Sequence, residues 1–191
     1  MVKIKIIGGS SRPGRFNVQP TRFVESLAKE MSGYEVEVLD LQEINLPFLD
    51  ESAPPMMQKY ENQHTKNWSA KIAEADGFVF VTPEYNHSYS AVLKNAIDYL
   101  LHEWNHKPVT FVSYGSLAGG SRAVEHLRAV AAELKMYDLR EQLMLPNYWN
   151  NLDEKGEYQF TEEQKNATKV MLSSLIFWAE EMKNSRLKLQ K

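Results

Sequence analysis

Between Gly77 and Thr82 the chain reads GFVFVT, a continuously apolar run. A half-buried strand alternates polar and apolar residues, so an unbroken run of this length fits a strand covered on both faces, as at the centre of a parallel sheet. The flanking sequence has the matching rhythm. Lys3-Ile4-Lys5-Ile6-Ile7 ends in Gly8-Gly9-Ser10-Ser11, a strand entering a small-residue turn, and Val24, Leu27, Ala28 and Met31 then recur at helical spacing. Glu35 to Leu41 alternates through most of its length, as an edge strand does. Trp68, Ile72 and Ala75 mark a short helix. Leu93, Ala96, Ile97, Leu100, Leu101 and Trp104 predict a longer one, its apolar stripe running over three turns. Val109 to Ser113 is another apolar strand, followed by a helix carrying Val124, Leu127, Ala131 and Leu134. A short strand near Gln142–Leu145 and a last helix with Leu172, Leu175, Ile176, Ala179 and Met182 complete the pattern. Leu46 to Tyr60, with Pro47, Pro54, Pro55 and two methionines, reads as an irregular surface excursion, and Asn147 to Gly156 as a polar loop.

Five strands alternating with helices imply an α/β fold, a parallel sheet covered on both faces with right-handed crossovers. The edge character of the second strand selects the order 2-1-3-4-5 over a barrel. The 191 residues are of a size for one domain, 1–191. In this order the winding reverses between strands 1 and 3, so the loops after Ile7 and Thr82 meet at the crevice where such sheets bind ligands, with the loop after Ser113 beside them.

Composition narrows the chemistry. With no cysteine, disulfides, thiolate metal sites, iron–sulfur clusters and cysteine nucleophiles are excluded, and no G-x-S-x-G elbow occurs. A net charge of −3 gives no overall field for nucleic acid or anionic lipid, so any anion site must be local. No apolar run reaches the ~20 residues of a membrane span. Met1–Gly9 leads into a strand pattern rather than a signal sequence, which predicts a cytoplasmic protein without a membrane partner.

The first loop, GSSRPGRFN from Gly9 to Asn17, combines small residues, hydroxyls, two arginines and a helix start, a composition that suits a phosphate dianion. It lacks the Gly-Lys-Ser/Thr ending of a P-loop and the glycine spacing of a dinucleotide fingerprint. A plain strand-to-helix turn with solvated arginines would read the same way. The second loop, Thr82 to Ser90, concentrates polar and aromatic groups whose backbone can bind the edge of a planar heterocycle; a proline-shaped turn ending in an N-capping serine is the alternative. In the third, Gly115, Gly119 and Gly120 allow close backbone approach.

His102-Glu103-Trp104-Asn105-His106 matches H-E-x-x-H, the zinc-hydrolase pattern. Pro108 disfavours helix at the preceding residue, and the segment falls at the far end of the sheet from the crevice, so the histidines are expected to interact with a helix C-terminus instead of a metal.

GSSR near the amino terminus, TPEYN followed by AVLKNAIDYL, and the HEW, KP and SYG elements between His102 and Gly115 together resemble the NADPH-dependent FMN reductase family, flavodoxin-like NAD(P)H:FMN or quinone oxidoreductases that include azoreductases. The resemblance covers roughly Val2 to Ala123. It implies a flavodoxin-like three-layer sandwich, FMN as cofactor, NADPH or NADH as co-substrate, a quinone, free flavin, azo dye or similar small acceptor, and a homodimer. It assigns the FMN phosphate to Ser10, Arg12 and Arg15, with Asn17 beside them and Gln19 added by proximity. The isoalloxazine ring goes to Pro83, Glu84, Tyr85 and Asn86, and the SYG turn to Tyr114, Gly115 and Ser116. Many members carry a serine where this chain has Arg15. No side chain is expected to act as nucleophile or obligatory base, because the cofactor carries the chemistry. One open ring face shared by nicotinamide and acceptor implies ping-pong kinetics. Pro47–Tyr60 and Tyr148–Trp149 would suit surfaces that close over a neighbour's flavin. The alternative is a flavodoxin-type electron-transfer or redox-sensing protein, whose phosphate loop usually lacks arginine and whose surface is usually strongly acidic.

Overall fold

The computed structural model describes residues 1–189. Strands β1 (Val2–Gly8), β2 (Tyr34–Asp40), β3 (Gly77–Pro83), β4 (Pro108–Gly115) and β5 (Tyr137–Pro146) form one parallel sheet in the order β2-β1-β3-β4-β5. The helices are α1 (Val18–Glu30), α2 (Leu41–Ile44), α3 (Gln63–Ala73), α4 (Ala91–Asp98), α5 (Ser121–Glu133) and α6 (Glu162–Leu189). Every residue of β3 is buried. Its alternation divides the core in two: Phe78 and Phe80 pack with Trp68, Ile97, Trp104 and Phe111 on one face, while Val79 and Val81 pack with Ile6, Val24, Leu172 and Leu175 on the other. That is why the run is apolar without interruption. β2 lies at the edge and buries fully only Leu39.

Polar anchors sit at the end of the sheet opposite the crevice. The buried Asp76 carboxylate accepts from Lys183 at 2.7 Å and Arg186 at 2.6 Å, pinning α6 to the start of β3. Lys107 donates to Ile72 O at 2.7 Å and Ala73 O at 2.9 Å, placing a cation on the C-terminus of α3, although burial lowers its pKa to about 7.

Three elements differ from the sequence expectation. α4 stops at Asp98, and Trp104 reaches the core from a separate 3-10 turn, His102–Trp104, because the backbone leaves helical geometry at Leu101 (φ −130°). β5 runs for ten residues instead of a short stretch, its outer half disguised by the charged Asp138, Arg140 and Glu141 of an edge strand. The single turn of α2, capped by the Asp40 carboxylate on Gln42 N at 3.0 Å, has no periodicity to announce it. Among the described residues no helix is long and apolar enough to cross a membrane.

Candidate functional site

The β1–α1 loop leaves the sheet against β3. Gly9 N donates to Val81 O at 2.8 Å, and a Cβ on Gly9 would lie 2.9 Å from that oxygen, so a larger residue would push the loop away. Gly14, at φ +65°, then reverses the chain, closed by Arg15 N on Arg12 O at 3.1 Å. The N–H groups of Ser10, Ser11, Arg12, Gly14, Phe16 and Asn17 find no acceptor among the described residues. Asn17 is buried and holds the loop's shape, its side-chain amide donating to Val81 O at 3.0 Å while its backbone carbonyl accepts from Thr21 Oγ1 at 2.8 Å. Ser10 is also buried, its Oγ 3.5 Å from the Tyr85 hydroxyl. Arg12 is exposed and has no ion-pair partner among the described residues, whereas Arg15 is tied to Asp40 and keeps a buried Nε with no acceptor.

The β3–α4 loop contains a two-residue hairpin turn. Tyr85 and Ser88 exchange backbone bonds of 2.8 and 3.0 Å around Asn86 (φ 49°) and His87 (φ 67°), the left-handed pair such a turn demands. Ser90 caps α4 by accepting from Leu93 N at 3.3 Å and donates to Gly9 O at 2.5 Å, joining the second loop to the first. The capping serine and the site loop are therefore the same feature. Glu84 N donates to Tyr114 O at 2.9 Å, and the buried Glu84 carboxylate takes Arg122 Nε at 2.6 Å on Oε1 while Oε2 has no partner. In the β4–α5 loop, Gly120 has φ +88° and a Cβ there would meet Ser113 Cβ at 2.5 Å, so glycine is required.

These loops enclose a cavity of about 250 Å³. Of the sequence candidates, Arg12, Arg15, Pro83, Glu84, Tyr85, Tyr114, Gly115 and Ser116 line it. Ser10 and Asn17 are buried in the first loop without lining it, and Asn86 is at the exposed turn of the second. Gln19 is not brought to the cavity: its amide spans to the α6 side, donating to Gly156 O at 2.8 Å and accepting from Tyr158 N at 2.6 Å. Burial pushes the Tyr114 hydroxyl pKa up, so it stays a neutral donor and acceptor. Three further lining residues, Phe16, Tyr148 and Trp149, are not among the FMN-site candidates. Phe16 stacks on Tyr148 with centroids 4.0 Å apart, and Trp149 follows on the 3-10 turn Tyr148–Asn151. Tyr148 and Trp149 thus face this chain's own cavity. Their available signal was position: an aromatic pair just after the last strand, at the end of the sheet where the other loops meet.

The HEWNH segment does not assemble a metal site. His102 Nε2 contacts Met56 O at 3.0 Å, not the end of α4, and His106 takes φ 58° after the turn. Glu103 is buried, accepting from Tyr60 at 2.9 Å and Ser69 at 2.7 Å. Among the described residues no three His, Asp or Glu side chains could hold a metal ion.

The family model for NADPH-dependent FMN reductase matches residues 2–150. An NAD(P)H-dependent FMN reductase of Schizosaccharomyces pombe is 46% identical over 136 residues, spanning 70% of this chain and 68% of that protein. An NADPH:quinone oxidoreductase of Arabidopsis thaliana is 31% identical over 145 residues, with 72% and 70% covered. Among solved structures, the flavoenzyme NAD(P)H:(acceptor) oxidoreductase FerB of Paracoccus denitrificans superposes with a TM-score of 0.73 at 18% identity, covering 95% of this chain and 99% of that one. This last likeness establishes the flavodoxin-like fold.

Proposed function

The chain belongs to the NADPH-dependent FMN reductase family, oxidoreductases that work with FMN and NAD(P)H, and from that premise we propose that its loop cavity holds FMN and reduces quinones, free flavin, azo dyes or similar acceptors by a ping-pong mechanism. The observation that carries the assignment is the β1–α1 loop: six backbone N–H groups without an acceptor beside the unpaired Arg12. A phosphate dianion would accept from N–H groups of this loop, at the start of a helix whose dipole favours negative charge. The aromatic wall of Tyr85, Tyr114 and Tyr148 suits a flat ring.

When bound, FMN supplies the ring that accepts hydride and passes electrons on. The chain's own residues bind and orient: Arg12 meets the phosphate, Arg15 is held in place by Asp40, and the turn at Asn86–His87 fixes the second loop. No proton relay through a side chain is required of them. Apoprotein titrated with FMN and with FAD should bind FMN far more tightly, since the loop is built to enclose a terminal phosphate; comparable affinities would remove this assignment.

We place the enzyme in the cytoplasm as a homodimer. Support for the dimer comes from the Pro47–Tyr60 excursion, which exposes Phe48, Met56 and Met57 and whose Met56 borders an apolar groove of about 530 Å³ with Ile97, Leu101, Val130 and Leu134. Sedimentation equilibrium of the holoprotein tests the dimer, and a monomer at micromolar concentration contradicts it.

A further inference from the structure

Trp149 is placed differently from the chain's buried tryptophans. Trp68 and Trp104 are buried, and their indole N–H groups donate to Ala96 O at 2.8 Å and Ile97 O at 3.2 Å. Trp149 is 49% exposed at the cavity, and its N–H has no partner among the described residues. Leaving half of the largest apolar side chain in water forgoes burial that a folded chain ordinarily gains.

The shelf beneath it is tied down by hydrogen bonds. Asn147 N donates to Ser116 O at 3.1 Å, Asn150 N to Asn147 O and Gln159 N to Asn151 O at 2.9 Å each, while Gln19 clamps the Gly156–Tyr158 turn from α1. Tyr148, stacked on the buried Phe16, fixes the base and meets the Trp149 ring nearly edge-on, at 5.3 Å and 71°. Such a contact engages one side of the indole and leaves the rest free for a ligand. Across the same cavity stands the partly exposed Tyr85.

We infer that Trp149 is a specificity-determining residue: it stacks on planar aromatic acceptors, quinones above all, as they enter the cavity, and so sets which acceptors the enzyme prefers. This rests on the FMN-reductase reading.

The test uses holoenzyme carrying Trp149→Ala or Trp149→Phe, with menadione as a flat acceptor and ferricyanide as an octahedral one without a ring to stack. Menadione binding to the oxidised holoenzyme, followed by titration calorimetry, should weaken about tenfold in Trp149→Ala, the order of one lost aromatic stacking contact. It should stay near wild type in Trp149→Phe, which keeps a ring. With the enzyme saturated with FMN, the KM for menadione should follow and rise about tenfold relative to the KM for ferricyanide. Unaltered menadione binding in Trp149→Ala, or equal losses with both acceptors, would overturn the inference and leave the FMN assignment standing. Wild-type holoenzyme that reduced neither acceptor with NADPH would overturn both.

Discussion

Arg122 on the first turn of α5 reaches the carboxylate of Glu84 at the end of β3, with Nε donating to Oε1 at 2.6 Å; the carboxylate is buried and the arginine side chain 43% exposed. One ion pair thereby fastens the second loop to the third across the cavity. Glu84 N donating to Tyr114 O at 2.9 Å repeats the link through the backbone.

Removing the arginine leaves a buried anion without its cation. For fully buried pairs this costs about 3–5 kcal/mol, and the exposure of Arg122 reduces the expectation to about 1–3 kcal/mol. Arg122→Gln should lower apoprotein stability by that amount in urea unfolding, and Glu84→Gln in the same chain should recover most of it. A single variant as stable as wild type would show that the pair does not hold the loops.

Arg12 and Arg15 should separate on substitution. Arg12→Ala is expected to weaken FMN by about 1.5–3 kcal/mol, the range of a charge-assisted hydrogen bond, and to leave riboflavin, which has no phosphate, unaffected. Arg15→Ala also frees Asp40, the cap of α2, and should lower thermal stability even without FMN. Fluorescence titration and melting curves measure both. Equal losses for FMN and riboflavin in Arg12→Ala would take the phosphate away from this loop.

How far the sequence reveals this arrangement depends on how local each cause is. GFVFVT states its central position because both faces of β3 are covered, and the loops are found because the strand order determines which ends converge. Trp149 lies outside those loops, and nothing in Tyr148-Trp149 distinguishes a cavity wall from a surface that meets a neighbour. The stacking of Tyr148 on Phe16, over a hundred residues away in the chain, is what brings the pair to this chain's cavity. Gln19 follows the phosphate loop in sequence, yet the helix turns its side chain toward the Gly156–Tyr158 turn. α4 looks longer than it is because a 3-10 turn sends Trp104 to the same core as Ile97.

Acid should weaken the fold through the far end of the sheet. Hydrogen bonds from Lys5 and Lys3 hold Glu74 down to about 2, below its ordinary value of 4.5. A depressed carboxyl stabilises fully above the unfolded value and loses that contribution as pH falls through the folded one, so the window runs from about pH 4.5 to about pH 2. Glu74→Gln should flatten the fall in stability there and be less stable than wild type at neutral pH. Parallel stability–pH curves for the two proteins would rule this out.

Nicotinamide and quinone have one cavity between them, about 250 Å³ with Tyr85 and Trp149 on its wall. If both must meet the flavin at one open face, they cannot be bound productively together, so double-reciprocal plots at several fixed acceptor concentrations should be parallel. Intersecting lines, with product inhibition that requires a ternary complex, would demand a second site and leave the FMN assignment intact.

The central claim is that this chain turns over FMN with NAD(P)H, and stopped-flow absorbance under anaerobic conditions measures it directly. Purified protein reconstituted with FMN should be yellow, lose its visible flavin band rapidly on mixing with NADPH, and regain it when menadione is added. A flavin band that NADPH and NADH both leave unbleached would contradict the account and favour an electron-transfer flavoprotein that draws its electrons from a protein partner.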